Sequence, residues 1–136
     1  MMRYNFLTIV LLISVSAFSQ KKELANPDGA VLLDATAFKE KMKADPDVVL
    51  IDVRTPGEVN AGYIPGAITI DYNAPDFAKK ISELDKSKTY FVYCKAGGRS
   101  GKSAELMKST GFKHVHDLQG GYTAWTEKGF ETTKPK

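Results

Sequence analysis

Short apolar runs alternate with segments of helical period along this chain, and the alternation limits the architectures open to it. Val31-Leu32-Leu33, Val48 to Ile51, Ile68 to Ile70, Tyr90 to Tyr93 and Phe112 to His116 are brief and mostly aliphatic, β-branched or aromatic. Such runs read as strands. Val48 to Ile51 shows no polar alternation, which suits a strand covered on both faces. Between the runs, Asp34 can cap a helix on which Phe38 and Met42 share one face, and Asp45-Pro46-Asp47 ends it. Thr55, Pro56 and Glu58 have the spacing of a capping box at the start of a short helix. Phe77, Ile81 and Leu84 mark another helix face. Lys102 to Ser109, with Ala104 and Met107 on one side and Gly111 as a stop, marks a further one. Tyr122 to Lys128 reads as a closing helix, with Trp125 as a core residue. Strands interleaved with helices predict an α/β domain with a mainly parallel sheet. A chain of 136 residues has room for one such domain.

The ends fall outside this pattern. Arg3, an apolar run from Phe6 to Val15 and the small residues Ser16, Ala17 and Ser19 describe a secretory signal peptide. The run is too short to cross a bilayer comfortably, and no cysteine near the cleavage site is present to carry lipid. The expected organisation is a signal peptide over 1–20, a polar tail over 21–29, the domain over 30–131 and a polar tail over 132–136. Export follows, with a periplasm as the expected destination, or membrane anchoring if the leader is retained. The net charge of +3 is spread through the chain without a basic cluster, so no nucleic-acid partner is expected.

Export sharpens the meaning of Cys94, the single cysteine. One cysteine rules out an intramolecular disulfide, and an unpaired thiol in an oxidising compartment calls for a chemical reason. Cys94 stands where the Tyr90 strand ends, and Lys95-Ala96-Gly97-Gly98-Arg99-Ser100 leads on to the next helix. Two glycines let a backbone curl so that successive N–H groups converge, and a helix start adds its positive end. A thiolate in such a cradle is stabilised. The plainer alternative is a small buried hydrophobe at a strand end.

Four stretches, in order, resemble the rhodanese family of sulfurtransferases: Leu50-Ile51-Asp52-Val53-Arg54-Thr55-Pro56-Gly57-Glu58, Gly62-Tyr63-Ile64-Pro65-Gly66-Ala67, Tyr93-Cys94-Lys95-Ala96-Gly97-Gly98-Arg99-Ser100 and Leu118-Gln119-Gly120-Gly121-Tyr122-Thr123-Ala124-Trp125. Tyr63 stands where that family commonly has histidine, which argues against imidazole acid-base chemistry at that place. The resemblance implies a three-layer fold, a five-stranded mainly parallel sheet with helices on both faces. It also implies sulfur transfer without a cofactor. Cys94 would take the outer sulfur of thiosulfate or a similar donor as a persulfide and pass it to a thiol, to cyanide or to a protein acceptor. Lys95, Ala96, Gly97, Gly98, Arg99 and Ser100 would bind the donor, with Arg99 forking onto its sulfonate.

Two other readings share the fold. A phosphatase or arsenate reductase of this type places five residues between cysteine and arginine, whereas Lys95, Ala96, Gly97 and Gly98 make four, a tighter loop sized for sulfur. A noncatalytic sulfur-carrying or partner-binding module is the other. Asp52 and Arg54 read as a pair that fixes the turn after their strand, with Glu58 as a further member. His114 and His116 share a strand face but lack a third ligand, so they read as surface or core residues rather than a metal site.

Overall fold

The computed structural model describes residues 29–136, and the expected signal peptide at 1–20 lies outside the described residues. The chain runs through β1 (Val31–Leu33), α1 (Ala35–Ala44), β2 (Val49–Asp52), α2 (Pro56–Asn60) and β3 (Ile68–Thr69). It continues through α3 (Phe77–Ser82), β4 (Thr89–Tyr93), α4 (Gly98–Ser109), β5 (His114–Leu118) and α5 (Gly121–Glu127). The five strands form one sheet in the order β1-β5-β4-β2-β3, and every pairing is parallel. This is the expected α/β architecture.

Alternation along the central strands divides the core between the two faces of the sheet. Leu50, Phe91 and Tyr93 pack with Phe38 of α1 and Trp125 of α5. Ile51, Tyr90 and Val92 turn the other way and pack with Ile81 of α3 and Ala104 and Met107 of α4. Both faces are therefore covered, as a parallel sheet requires. Local signals set several boundaries. Asp34 accepts a hydrogen bond from the Ala37 N–H at 2.8 Å to begin α1. Thr55 and Glu58 close the capping box of α2 reciprocally.

Several boundaries differ from the sequence reading, most by a single residue, and three departures matter to the packing. Helix α4 begins at Gly98, four residues before the expected Lys102, because Gly97 adopts a left-handed φ of 113° and turns the chain directly into the helix. Strand β5 begins at His114 rather than Phe112. Phe112 is used instead to end α4: its N–H donates to Met107 O at 3.0 Å while the Gly111 N–H donates to Lys108 O. With Gly111 at φ 99°, this is a Schellman stop. Finally, Thr133 forms an antiparallel bridge with Tyr63, so the stretch read as a C-terminal tail is tied to the domain.

The strand order reverses between β2 and β4, since β2 leads outward to β3 whereas β4 leads back toward β5 and β1. In such sheets a crevice opens at the carboxyl ends of the two diverging strands. An ion pair built into the backbone holds the β2 side of it. Arg54 Nε and Nη2 fork onto Asp52, Nη2 also donates to Gly62 O at 2.6 Å, and the guanidinium lies over the Tyr122 ring at 4.1 Å. Both charged side chains are almost wholly buried. The pair thus fixes the turn as its spacing predicts, but Glu58 takes no part in it. Removing one partner leaves an uncompensated buried charge, so Asp52→Ala is expected to cost about 3–5 kcal/mol in urea unfolding. The double variant Asp52→Ala/Arg54→Met should recover part of that loss, and no recovery would show that the charge was not the cause.

Candidate active site

Cys94 follows the last residue of β4 and lies beneath the turn that opens α4. The Gly97 N–H donates to Cys94 Sγ at 3.0 Å. The Ala96 and Ser100 N–H groups and the Ser100 hydroxyl lie close by and also favour the thiolate. Burial pushes the thiol pKa up, but these donors more than offset it, and the net shift is downward. The N-terminal end of the twelve-residue α4 adds its positive dipole end nearby. The thiol is 1% exposed, so the sulfur is sheltered while its donors face it. A buried sulfur with amides turned toward it is an arrangement that favours the thiolate.

The loop is held from below as well. The Tyr122 N–H donates to Cys94 O at 2.7 Å, and the Thr123 N–H donates to Lys95 O at 3.1 Å. The start of α5 thereby engages the carbonyls that the cradle turns away from the sulfur. Gly121 makes this approach possible. Its φ is +58°, and a Cβ there would lie 2.5 Å from both Cys94 O and Lys95 O. In the sequence, Gly120-Gly121 stands only as part of the fourth family-like stretch, with no contact to the cysteine loop expected of it. The missed signal was the glycine pair itself, since the second glycine of a turn often marks a close backbone approach.

The expected donor-binding residues separate into three groups. Ala96, Gly97 and Ser100 meet the sulfur through main-chain or hydroxyl donors. Lys95 stands exposed beside a cleft of about 230 Å³ that Arg54, Glu58, Tyr122 and Thr123 also line, and Gly98 is exposed at the first position of α4. Arg99 departs from expectation. Instead of facing outward for an anion, it forks onto Glu58 of α2, Nη1 to Oε1 at 2.7 Å and Nη2 to Oε2 at 2.9 Å. The early start of α4 places Arg99 in the first helical turn and within reach of α2. Tyr63 is not among the residues lining the cleft.

Together these features define an α/β domain that seats one thiol in an amide cradle at the carboxyl edge of a parallel sheet. Residues 34–128 match the Rhodanese-like domain family, and the chain belongs to it. YtwF of Bacillus subtilis, named as a candidate sulfurtransferase, is 39% identical over 104 residues, covering 76% of this chain and 94% of that protein. Thiosulfate sulfurtransferase 16, chloroplastic, of Arabidopsis thaliana is 37% identical over 92 residues, covering 60% of this chain and 77% of its own. The crystal structure of a rhodanese-related protein from Thermoplasma volcanium matches with a TM-score of 0.67 at 28% identity, over 76% of this chain and 97% of that one.

Two outcomes follow from these contacts. Gly121→Ala should destabilise the fold by at least about 2 kcal/mol in chemical denaturation, because a left-handed alanine must also displace backbone carbonyls. Wild-type stability would show that α5 does not brace the loop. The Arg99 guanidinium and the Thr55 donors outweigh burial and lower the Glu58 carboxyl to about 2. A lowered carboxylate stabilises the fold above its ordinary pKa and loses that contribution as pH falls through about 2. The pair is about one-quarter exposed, so screening limits the effect. Glu58→Gln is expected to cost about 1–2 kcal/mol at neutral pH, with the difference in Tm closing as pH falls from about 4.5 to about 2.

Proposed function

We propose that this protein is a sulfurtransferase that carries sulfane sulfur on Cys94. The observation that carries the proposal is the set of main-chain and hydroxyl donors aimed at one buried sulfur. The lowered pKa supplies a thiolate without a general base. That thiolate attacks the outer sulfur of thiosulfate or a related donor. A new S–S bond forms to Cys94 as the donor's own S–S bond breaks, and the bonding pair leaves with sulfite. The resulting persulfide is an anion of the same charge one atom longer, and the loop amides that served the thiolate also serve it. An acceptor thiolate, or cyanide in an assay, then takes the terminal sulfur and returns Cys94 to the thiolate. The names of the relatives support sulfur transfer, and the four residues between Cys94 and Arg99 favour a sulfur-sized loop over a phosphate-sized one.

The charge at the mouth of the site favours Lys95 as the residue that meets the donor. Arg99 is committed to Glu58, whereas Lys95 is exposed and makes no ion pair with any described residue. Thiosulfate-to-cyanide turnover should disappear in Cys94→Ala, and intact mass after incubation with thiosulfate should show a gain of one sulfur that depends on Cys94. Lys95→Ala should raise the thiosulfate KM roughly tenfold with a smaller change in kcat, the effect of losing one charge-assisted contact in the ground state. Equal turnover by wild type and Cys94→Ala would reject the mechanism. Cys94-dependent hydrolysis of an aryl phosphate would favour the phosphatase reading in its place.

A further inference from the structure

Beneath the first turn of α4 lies a carboxyl group that the chemistry above does not use. Asp117 is the fourth residue of β5, is 6% exposed and pairs in register with Val92 of β4. Its Oδ1 is buried without a hydrogen-bond partner. Its Oδ2 faces α4, where a Cβ on Gly101 would lie 3.6 Å away. The Ser100 hydroxyl lies close enough to both groups to favour the charged form of each, the carboxylate and the Cys94 thiolate. Ser100 Oγ also lies 3.3 Å from Gly97 O, and Ser100 is fully buried. A buried chain of three groups therefore runs from the sheet to the sulfur.

Counting protons shows what the chain does. A serine hydroxyl has one hydrogen to give. Here Cys94 Sγ, Gly97 O and, when ionised, Asp117 all accept from it. An ionised Asp117 is an acceptor only, so it draws the hydrogen away from the sulfur. A protonated Asp117 donates to Ser100 Oγ and leaves the hydroxyl hydrogen for Cys94. Burial pushes the Asp117 carboxyl up to about 6, against the opposing hydrogen bonds from Ser100 and the Leu118 N–H. The groups packed around it bring no compensating charge. Val92 on β4, Leu32 on β1 and Ser100 and Gly101 on α4 are neutral, Lys102 is exposed, and the His116 ring stacks on Phe91 across the sheet. The titratable partner within reach is Cys94, through Ser100.

We propose that Asp117 is a positioning residue for the sulfur site, and that through Ser100 it sets whether the hydroxyl donates to Cys94 or is drawn into the sheet. The proposal rests on Cys94 being the nucleophile. Asparagine at 117 keeps the shape of the side chain and donates to Ser100 Oγ at every pH, so it mimics the protonated acid. Alanine removes the competing acceptor without replacing the donor.

The test is the pH profile of Cys94 alkylation by iodoacetamide, measured on wild type, Asp117→Asn, Asp117→Ala, Ser100→Ala and Ser100→Ala/Asp117→Asn. Native circular dichroism confirms that each is folded, and Asp117→Ala serves if Asp117→Asn does not fold. Wild type should show an inflection near pH 6 in addition to the thiol step. Asp117→Asn should lose that inflection and react about fivefold faster between about pH 6 and the thiol midpoint, the effect of one hydrogen bond restored to the thiolate, with the two rates converging below pH 6. Asp117→Ala should lose the inflection with a smaller gain. In the Ser100→Ala background, Asp117→Asn should change nothing. A profile unchanged by Asp117→Asn, or the same shift with and without Ser100, overturns the proposal. Sulfur uptake from thiosulfate, read by intact mass on wild type, judges the sulfurtransferase reading separately, because alkylation needs no sulfur donor.

Discussion

A buried sulfur that is to carry charge must be met by donors, and this chain supplies them from its own backbone. The amides of Ala96, Gly97 and Ser100 converge on Cys94 Sγ, and the amides of Tyr122 and Thr123 hold the carbonyls of Cys94 and Lys95 on the opposite side of the same loop. The peptide units from 94 to 97 are thus oriented from two directions. The rest of the architecture serves that orientation. Strand β4 delivers the cysteine to the edge of the sheet, Gly97 turns the chain into α4, and Gly121 lets α5 come close enough to brace the turn. Main-chain donors suit this task because they cannot swing away or titrate, so the site keeps its polarity whatever the charge on the sulfur.

Charged side chains in the neighbourhood are mostly committed to architecture. Arg54 is bound to Asp52, Gly62 O and the Tyr122 ring, and it ties the β2 turn to α5. Arg99 is bound to Glu58, and it ties the first turn of α4 to α2. Each pair spans the crevice between the diverging strands or secures one wall of it. Pairing also removes most of the positive field these arginines would offer to an anion, and the exposed Lys95 is left to supply it. Of the two cations in the loop itself, Arg99 is committed to scaffolding and Lys95 is the exposed one.

Much of this was legible in the sequence because local rules and tertiary structure agree there. The apolar run before Cys94, the capping box at Thr55 and Glu58, the Gly111 stop and the glycine pair in the loop each point to the structure that forms. The start of α4 was not legible. Gly98-Arg99-Ser100-Gly101 has poor intrinsic helix propensity, and the helix begins there because Gly97 supplies a left-handed turn and the sheet supplies packing. The destination of Arg99 follows from that early start and was hidden with it. Asp117 was invisible for another reason. A carboxylate directly after a histidine, one residue past the expected strand end at His116, carries no mark of burial, which becomes evident only once α4 is laid across β5. The role of Thr133 depends on a bridge to Tyr63 at the other end of the domain, which spacing does not encode.

The central claim is that the loop favours the Cys94 thiolate and lowers the thiol pKa in spite of burial. Titration of thiolate absorbance in the wild-type protein, with Cys94→Ala subtracted as the blank, measures this directly. The account predicts a midpoint below the value of about 8.5 of an unperturbed cysteine. A midpoint at or above that value would mean that burial outweighs the amides, and the loop would then be a structural feature rather than a site for sulfur chemistry.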